Sequence, residues 1–384
     1  MIVGFASSIF KKFNGSTYEL LGETVTKAME MASLELKEVD GLFLTYIPGV
    51  FDGKASLHFF SMQISSLLGI RPKFIDIIDY GGPSALTMIY RAYKMIKSGE
   101  LNTALCIVGG KASDLREKRV TVDSIDKLYS NVSLTPFDEY FRIYEDFNPV
   151  TDYALVAKRH SYLFGTTDEQ RAMIAVHQRK NAMGNSKALY RTPLTVKDVL
   201  DSRIVSEPLR LLEVVYPIDG FHVFVLSRKG GKSDLRPIEI LFYGEAHWPE
   251  MPPELEDIVY TPTIESSKGL SLEVDAYQLY DSFTITVLLQ IEDLGLTEKG
   301  KGGRFVEEND LSYQGDVPIN TGGGSLNVGQ PAFMSGGVIL EEALLQLNYM
   351  AEGHQVKGVN RVLVNGIGGW NRGHAVTMVL GEAK

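Results

Sequence analysis

The chain has 384 residues, 44% of them hydrophobic, and a net charge of −10. That balance allows a sizeable core and excludes a broad surface for nucleic-acid phosphates, while leaving room for a local basic pocket around one phosphorylated ligand. No apolar run reaches the ~18 residues of a membrane span, and the lone Cys106 excludes an intramolecular disulfide, which points to a reducing, cytoplasmic setting.

The start, Met1-Ile2-Val3-Gly4-Phe5, has no basic region ahead of a long apolar stretch, and Ile2–Ala6 reads as a first strand. Glu19–Leu36 carries apolar residues at helical spacing. Val39–Tyr46 and Phe74–Ile78 are short strand-like runs; Ala85–Ile96 is helical and closed by Ser98-Gly99; Leu105–Val108 is a buried strand stopped by Gly109-Gly110. Alternation of this kind predicts parallel strands joined by crossover helices. From about 112 to 215 the pattern breaks into a charged, tyrosine-rich, helical stretch, with helices at Arg171–Ala182 and Val196–Leu200, which reads as an insertion over the core. Strand character returns at Phe221–Leu226, Arg228-Lys229-Gly230-Gly231-Lys232 reads as a linker, and alternation restarts at Ile238. The expected organisation is one half over 1–230 carrying the insertion and a second half over 236–384.

The two halves share a pattern. Asp79-Tyr80-Gly81-Gly82-Pro83-Ser84 precedes a helix and then a strand ending in Gly109-Gly110; Gly329-Gln330-Pro331-Ala332 precedes the helix Phe333–Leu347, the strand Val362–Val364 and Gly366-Ile367-Gly368-Gly369. Such self-similarity implies two related units packed together. Pseudo-symmetry would bring both helix N-termini to one centre, where free N–H groups suit an acyl oxygen.

Further motifs run in order: Lys158-Arg159-His160, Tyr162 to Thr167, Gln178 to Ala182, Tyr280-Asp281-Ser282-Phe283-Thr284, Glu292 to Gly295, Gly302 to Phe305, Asn320-Thr321-Gly322-Gly323-Gly324 and Gly329-Gln330-Pro331. On these the chain resembles the thiolase superfamily, and within it the sterol-carrier-protein-thiolase branch, over nearly its whole length. The resemblance implies an α/β fold of two duplicated βαβαβ halves in a five-layer αβαβα arrangement with a loop domain, assembled as a homodimer or a dimer of dimers.

Several departures from that family pattern concern its chemistry. The position of the nucleophilic cysteine, at the start of a buried helix, is held by Gly82. The Gly-His-Pro histidine that activates that cysteine corresponds to Gln330, which has no basic nitrogen near neutral pH. The histidine of the His-Asp-Cys-Phe box corresponds to Tyr280, and Asn365 to Gly369 stand where the second cysteine would be. Cys106, in an apolar strand, reads as a small hydrophobe and no substitute.

What is left to do chemistry is Tyr280, His374 and Gln330. Tyr280 reads either as a hydrogen-bond donor or base at a thioester, or as a packed aromatic. His374 reads as a pocket residue or an exposed one, and Gln330 as a holder of a water or a carbonyl, or as a surface residue. Ser84 reads as a helix cap. Arg179 and Arg191, with Lys158 and Arg159, are candidates for coenzyme A phosphates, and Gly323 and Gly368 for close approach to its pantetheine arm. No metal-ligand spacing is present. The implied activity is on a coenzyme A thioester: an acyltransferase-like protein without acyl-cysteine chemistry that performs aldol-type cleavage of a β-hydroxyacyl-CoA, assisted by a small OB-fold/zinc-ribbon protein. The alternative is a non-catalytic acyl-CoA-binding or scaffolding subunit. Neither nucleic acid nor membrane is an expected partner, and no covalently bound cofactor is expected.

Overall fold

The structure, a computed structural model, describes residues 1–47, 59–113, 149–229, 235–248, 257–271, 273–332, 336–368 and 372–382. Residues 114–148 of the expected insertion, the linker glycines Gly230-Gly231 with Lys232, the helix start at Phe333, and Gly369 lie outside them. In chain order come β1 (Ile2–Phe10), α1 (Thr17–Ala32), β2 (Gly41–Leu44), α2 (Phe60–Leu68), β3 (Phe74–Ile77), α3 (Ser84–Ser98) and β4 (Thr103–Lys111). Then follow α4 (Pro149–Phe164), α5 (Asp168–Ala182), α6 (Val196–Asp201), a small hairpin of β5 (Ile204–Ser206) and β6 (Leu209–Arg210), and β7 (Pro217–Ser227). The remainder is β8 (Ile238–His247), α7 (Thr263–Ser266), β9 (Ala276–Leu279), α8 (Thr284–Asp293), α9 (Gly302–Glu308), α10 (Gly324–Val328), β10 (Gln330–Pro331), α11 (Gly336–Leu347), β11 (Arg361–Gly368) and β12 (His374–Glu382).

Local chemistry sets the element ends. Ser16 and Glu19 form a capping box that starts α1 ahead of the expected Glu19, and Ser33 in the left-handed region ends it short of Leu36. Thr167 and Gln170 do the same for α5, which begins three residues before the expected Arg171.

The first large sheet has the order β1-β7-β4-β2-β3, the second β8-β12-β11-β9. In the first, β2 is parallel to β3 and β4, while β7 is antiparallel to β4 and β1. In the second, β11 is parallel to β9, while β12 is antiparallel to β11 and β8. The strands expected to run parallel, β1 to β4, do so, and the antiparallel return strands β7 and β12 make both sheets mixed. The link from β11 to β12 is too short for a crossover, which needs a dozen or more residues, so that pair can only be antiparallel. Setting β8, β9, β11 and β12 against β1, β2, β4 and β7 gives the same order and the same directions, so the duplication seen in the glycine motifs extends to the topology.

Alternating strand residues sort into three apolar layers. Leu105, Ile107, Val223 and Val225 face α1 and α2. Ala104, Cys106 and Val108 from one sheet and Val362, Val364 and Met378 from the other enclose α3 and α11. Leu363 and Val379 face α8 and α4 on the far side. This is the five-layer αβαβα arrangement. Burying each Leu, Ile or Val side chain contributes about 1.5–3 kcal/mol, and the central layer is what presses α3 and α11 together. Cys106 is fully buried there, and burial pushes its thiol pKa up, far from a reactive thiolate.

Candidate active site

The site forms where the starts of α3 and α11 meet the segment after β9. A Cβ on Gly336 would strike the carbonyl oxygen of Gly82, so the two helix starts touch through paired glycines. Gly368 packs in the same way on the Tyr80–Pro83 backbone, with a Cβ there falling within 3.0 Å of Gly82 N, Tyr80 O and Pro83 Cδ.

The segment from Tyr280 to Thr284 is fixed by its backbone. Tyr280 N donates to Asn365 O at 2.9 Å, extending the β9–β11 pairing, while its carbonyl accepts from Gln290 Nε2 at 2.6 Å and Thr286 Oγ1 at 3.0 Å. Asn365 Nδ2 donates to Gln290 Oε1, and Asn365 Oδ1 accepts from Thr377 Oγ1. Asn320, at φ +49, accepts from Leu279 N at 2.7 Å. Asp281 is fully buried and accepts from Ser325 N, Leu326 N and Gln178 Nε2, anchoring α10. Burial pushes its pKa up to about 6, against those three donors.

This frame sets the Tyr280 ring against Gly82. A Cβ on Gly82 would come within 3.0 Å of the ring edge and of the Ile367 carbonyl oxygen. The glycine and the tyrosine are therefore one change in shape: the space of a side chain on one half is filled by a ring from the other. Gly82→Cys is expected to destabilise the protein by about 1–3 kcal/mol through overpacking and to take up no acyl group from labelled acyl-CoA. Thermal melts and gel autoradiography check this; a fully stable, acylated variant would mean that the loop yields freely.

Tyr280 is 6% exposed, and its Oη lies 2.6 Å from Ser282 Oγ. Ser282 Oγ is also 2.9 Å from Gln330 Oε1, which can only accept. One serine proton thus has two acceptors. When it goes to Gln330, the tyrosine proton is directed to Ser282; when it goes to Tyr280, the phenol oxygen is the acceptor and its own proton points away from Ser282. Gln330 is held for this by β10, through Gln330 N to Tyr216 O at 3.0 Å and parallel pairing with β7. Tyr280 and Gln330 are thus brought together, and Ser282, which sequence reasoning passed over, links them. Its position within the Tyr-Asp-Ser-Phe box was the available signal.

His374 lies beside this cluster, paired with Gly368 across β11 and β12. It opens β12 opposite His247, with their Nδ1 atoms 2.7 Å apart, and both rings pack on Tyr80 at 4.9 Å. His247 continues to Glu245 at 2.9 Å. Burial and the charge of His247 lower the His374 pKa, with Glu245 opposing. Among the described residues His374 has no hydrogen bond to Tyr280, Ser282 or Gln330.

The coenzyme A candidates are dispersed. Arg179 is 9% exposed and its guanidinium is engaged by Asn327 and by Thr192 O at 2.8 Å, which ties α5 to α10. Burial lowers its pKa. Arg191 is exposed; Arg159 pairs with Asp257 at 2.5 Å and Lys158 with Glu207 at 3.5 Å. Gly323, at φ +96, has its open face against Ala182 of α5. At both Gly323 and Gly368 the close approach is made by the chain itself. Ser84 is a buried tie, accepting from Tyr80 N at 2.9 Å. Among the described residues there is no cluster of three potential metal ligands and no helix long and apolar enough to cross a membrane.

Residues 254–382 match the family described as Thiolase C-terminal domain-like. The chain is 29% identical over 381 residues to the 17-hydroxy-3-oxo-4-pregnene-20-carboxyl-CoA lyase of Mycobacterium tuberculosis, covering 94% of this chain and 95% of that one. It is 26% identical to the acetyl-CoA acetyltransferase of Methanothermobacter thermautotrophicus, covering 96% of each. The solved Ltp2–ChsH2(DUF35) aldolase superposes with a TM-score of 0.82 at 25% identity over 99% of this chain and 97% of that one. With these likenesses and the five-layer duplicated fold, the chain has the thiolase fold and resembles the sterol-carrier-protein-thiolase-like branch, with Gly82 packed shut where that resemblance places a nucleophilic cysteine.

Proposed function

We propose that this protein is an enzyme that acts on a coenzyme A thioester by aldol-type cleavage of a β-hydroxyacyl-CoA, with no acyl-enzyme. The observation that carries this is the Tyr280 ring occupying the space beside Gly82 while its hydroxyl enters the Ser282–Gln330 chain. A side-chain nucleophile is excluded there, and a proton-handling group stands in its place. In the reaction a base takes the β-hydroxyl proton as the Cα–Cβ bond breaks, releasing a carbonyl compound and the thioester enolate, which is then protonated at Cα. Tyr280, as its phenolate, is the group assigned to take that proton and return it to Cα; Ser282 donates to the phenolate oxygen and turns to Gln330 Oε1 once Tyr280 is protonated. The names of the similar lyase and of the superposed aldolase support the same reaction class.

The assembly follows from the same reading. The superposed aldolase is named for two proteins, which supports a small OB-fold/zinc-ribbon partner for this chain. Strand β3 forms a sheet edge with Ile75 and Ile77 exposed, a surface suited to pairing with a second copy in a homodimer. Arg191 is the exposed candidate for the coenzyme A phosphates, and the cytoplasm is the compartment that suits one buried thiol.

The test incubates the purified chain, with and without a zinc-ribbon OB-fold partner, with β-hydroxyacyl-CoA and follows release of aldehyde or ketone. Release without protein acylation is the expected result. Tight acyl-CoA binding with no turnover would make the protein a binding or scaffolding subunit, and covalent acylation would sink both readings.

A further inference from the structure

Arg372 stands just ahead of β12 with its backbone in the left-handed region, at φ +62. A non-glycine residue held there is a strained feature of the kind that persists where function requires it. The side chain is 5% exposed, and neither Nε nor Nη1 has a hydrogen-bond partner among the described residues. Its guanidinium lies over the ring of Tyr153, 5.3 Å from the centroid, and Asp152 acts on it through space. A buried guanidinium with open donors is costly unless something pairs with it, and a ring face satisfies none of its N–H groups.

The surroundings say what that pairing group is. Tyr153 stacks on Phe283 with ring centroids 4.3 Å apart, and it interacts electrostatically with both Tyr280 and Arg372. Arg372 and Tyr280 are thus linked through Tyr153, which interacts with both, while Phe283 stacks on the Tyr153 ring. We propose that Arg372 binds the thioester oxygen of the substrate and holds the negative charge that develops on it as the enolate. Open guanidinium N–H groups fit an oxyanion, and charge-assisted bonds made where charge grows favour the transition state over the bound substrate. This assignment rests on the coenzyme A reading above, but not on the aldol step.

The experiment measures binding by calorimetry on the full chain. The probes are carboxymethyl-CoA, whose carboxylate mimics an enolate oxygen, and S-ethyl-CoA, which has no oxygen there. The native protein is expected to prefer carboxymethyl-CoA by about tenfold or more. In Arg372→Gln that preference should vanish while S-ethyl-CoA binds within about twofold of native; Arg372→Lys should restore part of it. A native protein with no preference overturns the proposal without any variant. So does an Arg372→Gln protein that keeps the preference, or one that loses both ligands together with its thermal stability, since that is what a purely structural arginine does. If neither probe binds the native chain, the coenzyme A reading itself fails. If the preference is present and no β-hydroxyacyl-CoA is cleaved, only the aldol step fails.

Discussion

Tyr280→Phe is expected to lower kcat for carbon–carbon cleavage by about 10²–10⁴-fold, the range for removal of a positioned acid–base group, while the melting temperature changes little. Phenylalanine keeps the ring that fills the space beside Gly82, so the packing between the two halves is preserved. It removes only Oη. Ser282 loses one neighbour at 2.6 Å but keeps Gln330 Oε1 at 2.9 Å as the acceptor for its proton. The stability cost is therefore about 1 kcal/mol or less. The KM should move less than kcat, because the phenol is needed for the moving proton more than for the bound thioester. Steady-state kinetics with a parallel melt separates these effects. A variant that cleaves at the native rate would assign the proton to another group and leave Tyr280 as packing.

Much of this arrangement was legible in the sequence because it is local. The loop–helix–strand repeat around Gly82 and Gln330, and the box at Tyr280, are short segments whose order survives translation into β9, α8, β10 and α11. The directions of β7 and β12 were not legible, because antiparallel return strands carry the same apolar runs as parallel ones when both faces are buried. Nor was the match between Gly82 and Tyr280: each residue reads separately as a lost function, and only contact between the two halves makes them a single exchange of volume. Tyr153 and Arg372 were missed for a similar reason. Tyr153 sits in the helical insertion and Arg372 in a glycine-rich turn, and no local pattern relates the two, yet the fold places one over the other. Arg179 went the opposite way, since a charged residue on a helix reads as solvated until Asn327 and Thr192 are found beside it.

The largest effect on stability is expected from Arg171→Met, away from the chemistry but beneath it. Arg171 is fully buried in the first turn of α5, with Nη2 2.5 Å from Asp168 and Nε 3.4 Å from Glu213. Glu213 is 1% exposed and also accepts from Thr284 Oγ1 at 2.9 Å and Arg210 N at 3.0 Å. The pair thus joins α5 to the first residue of α8, immediately after the Tyr280–Phe283 box. Methionine fills much of the volume but leaves the Glu213 carboxylate without its cation, a loss of about 3–5 kcal/mol for a broken buried pair. The pH dependence follows from the carboxyl. Burial raises the Glu213 pKa, and the charge of Arg171 is the largest influence opposing that rise. Without the arginine the folded-state pKa moves further above the unfolded one. A carboxyl raised in this way stabilises the fold in its protonated form, below the unfolded pKa of about 4.3, and that contribution is lost as pH rises through the folded value. The deficit of the variant should therefore be greatest at pH 8 and shrink as pH falls toward 5. Melts of native and variant protein at matched scan rates give the difference at each pH. A deficit that is large but independent of pH would place the cost in packing rather than in the stranded Glu213 charge.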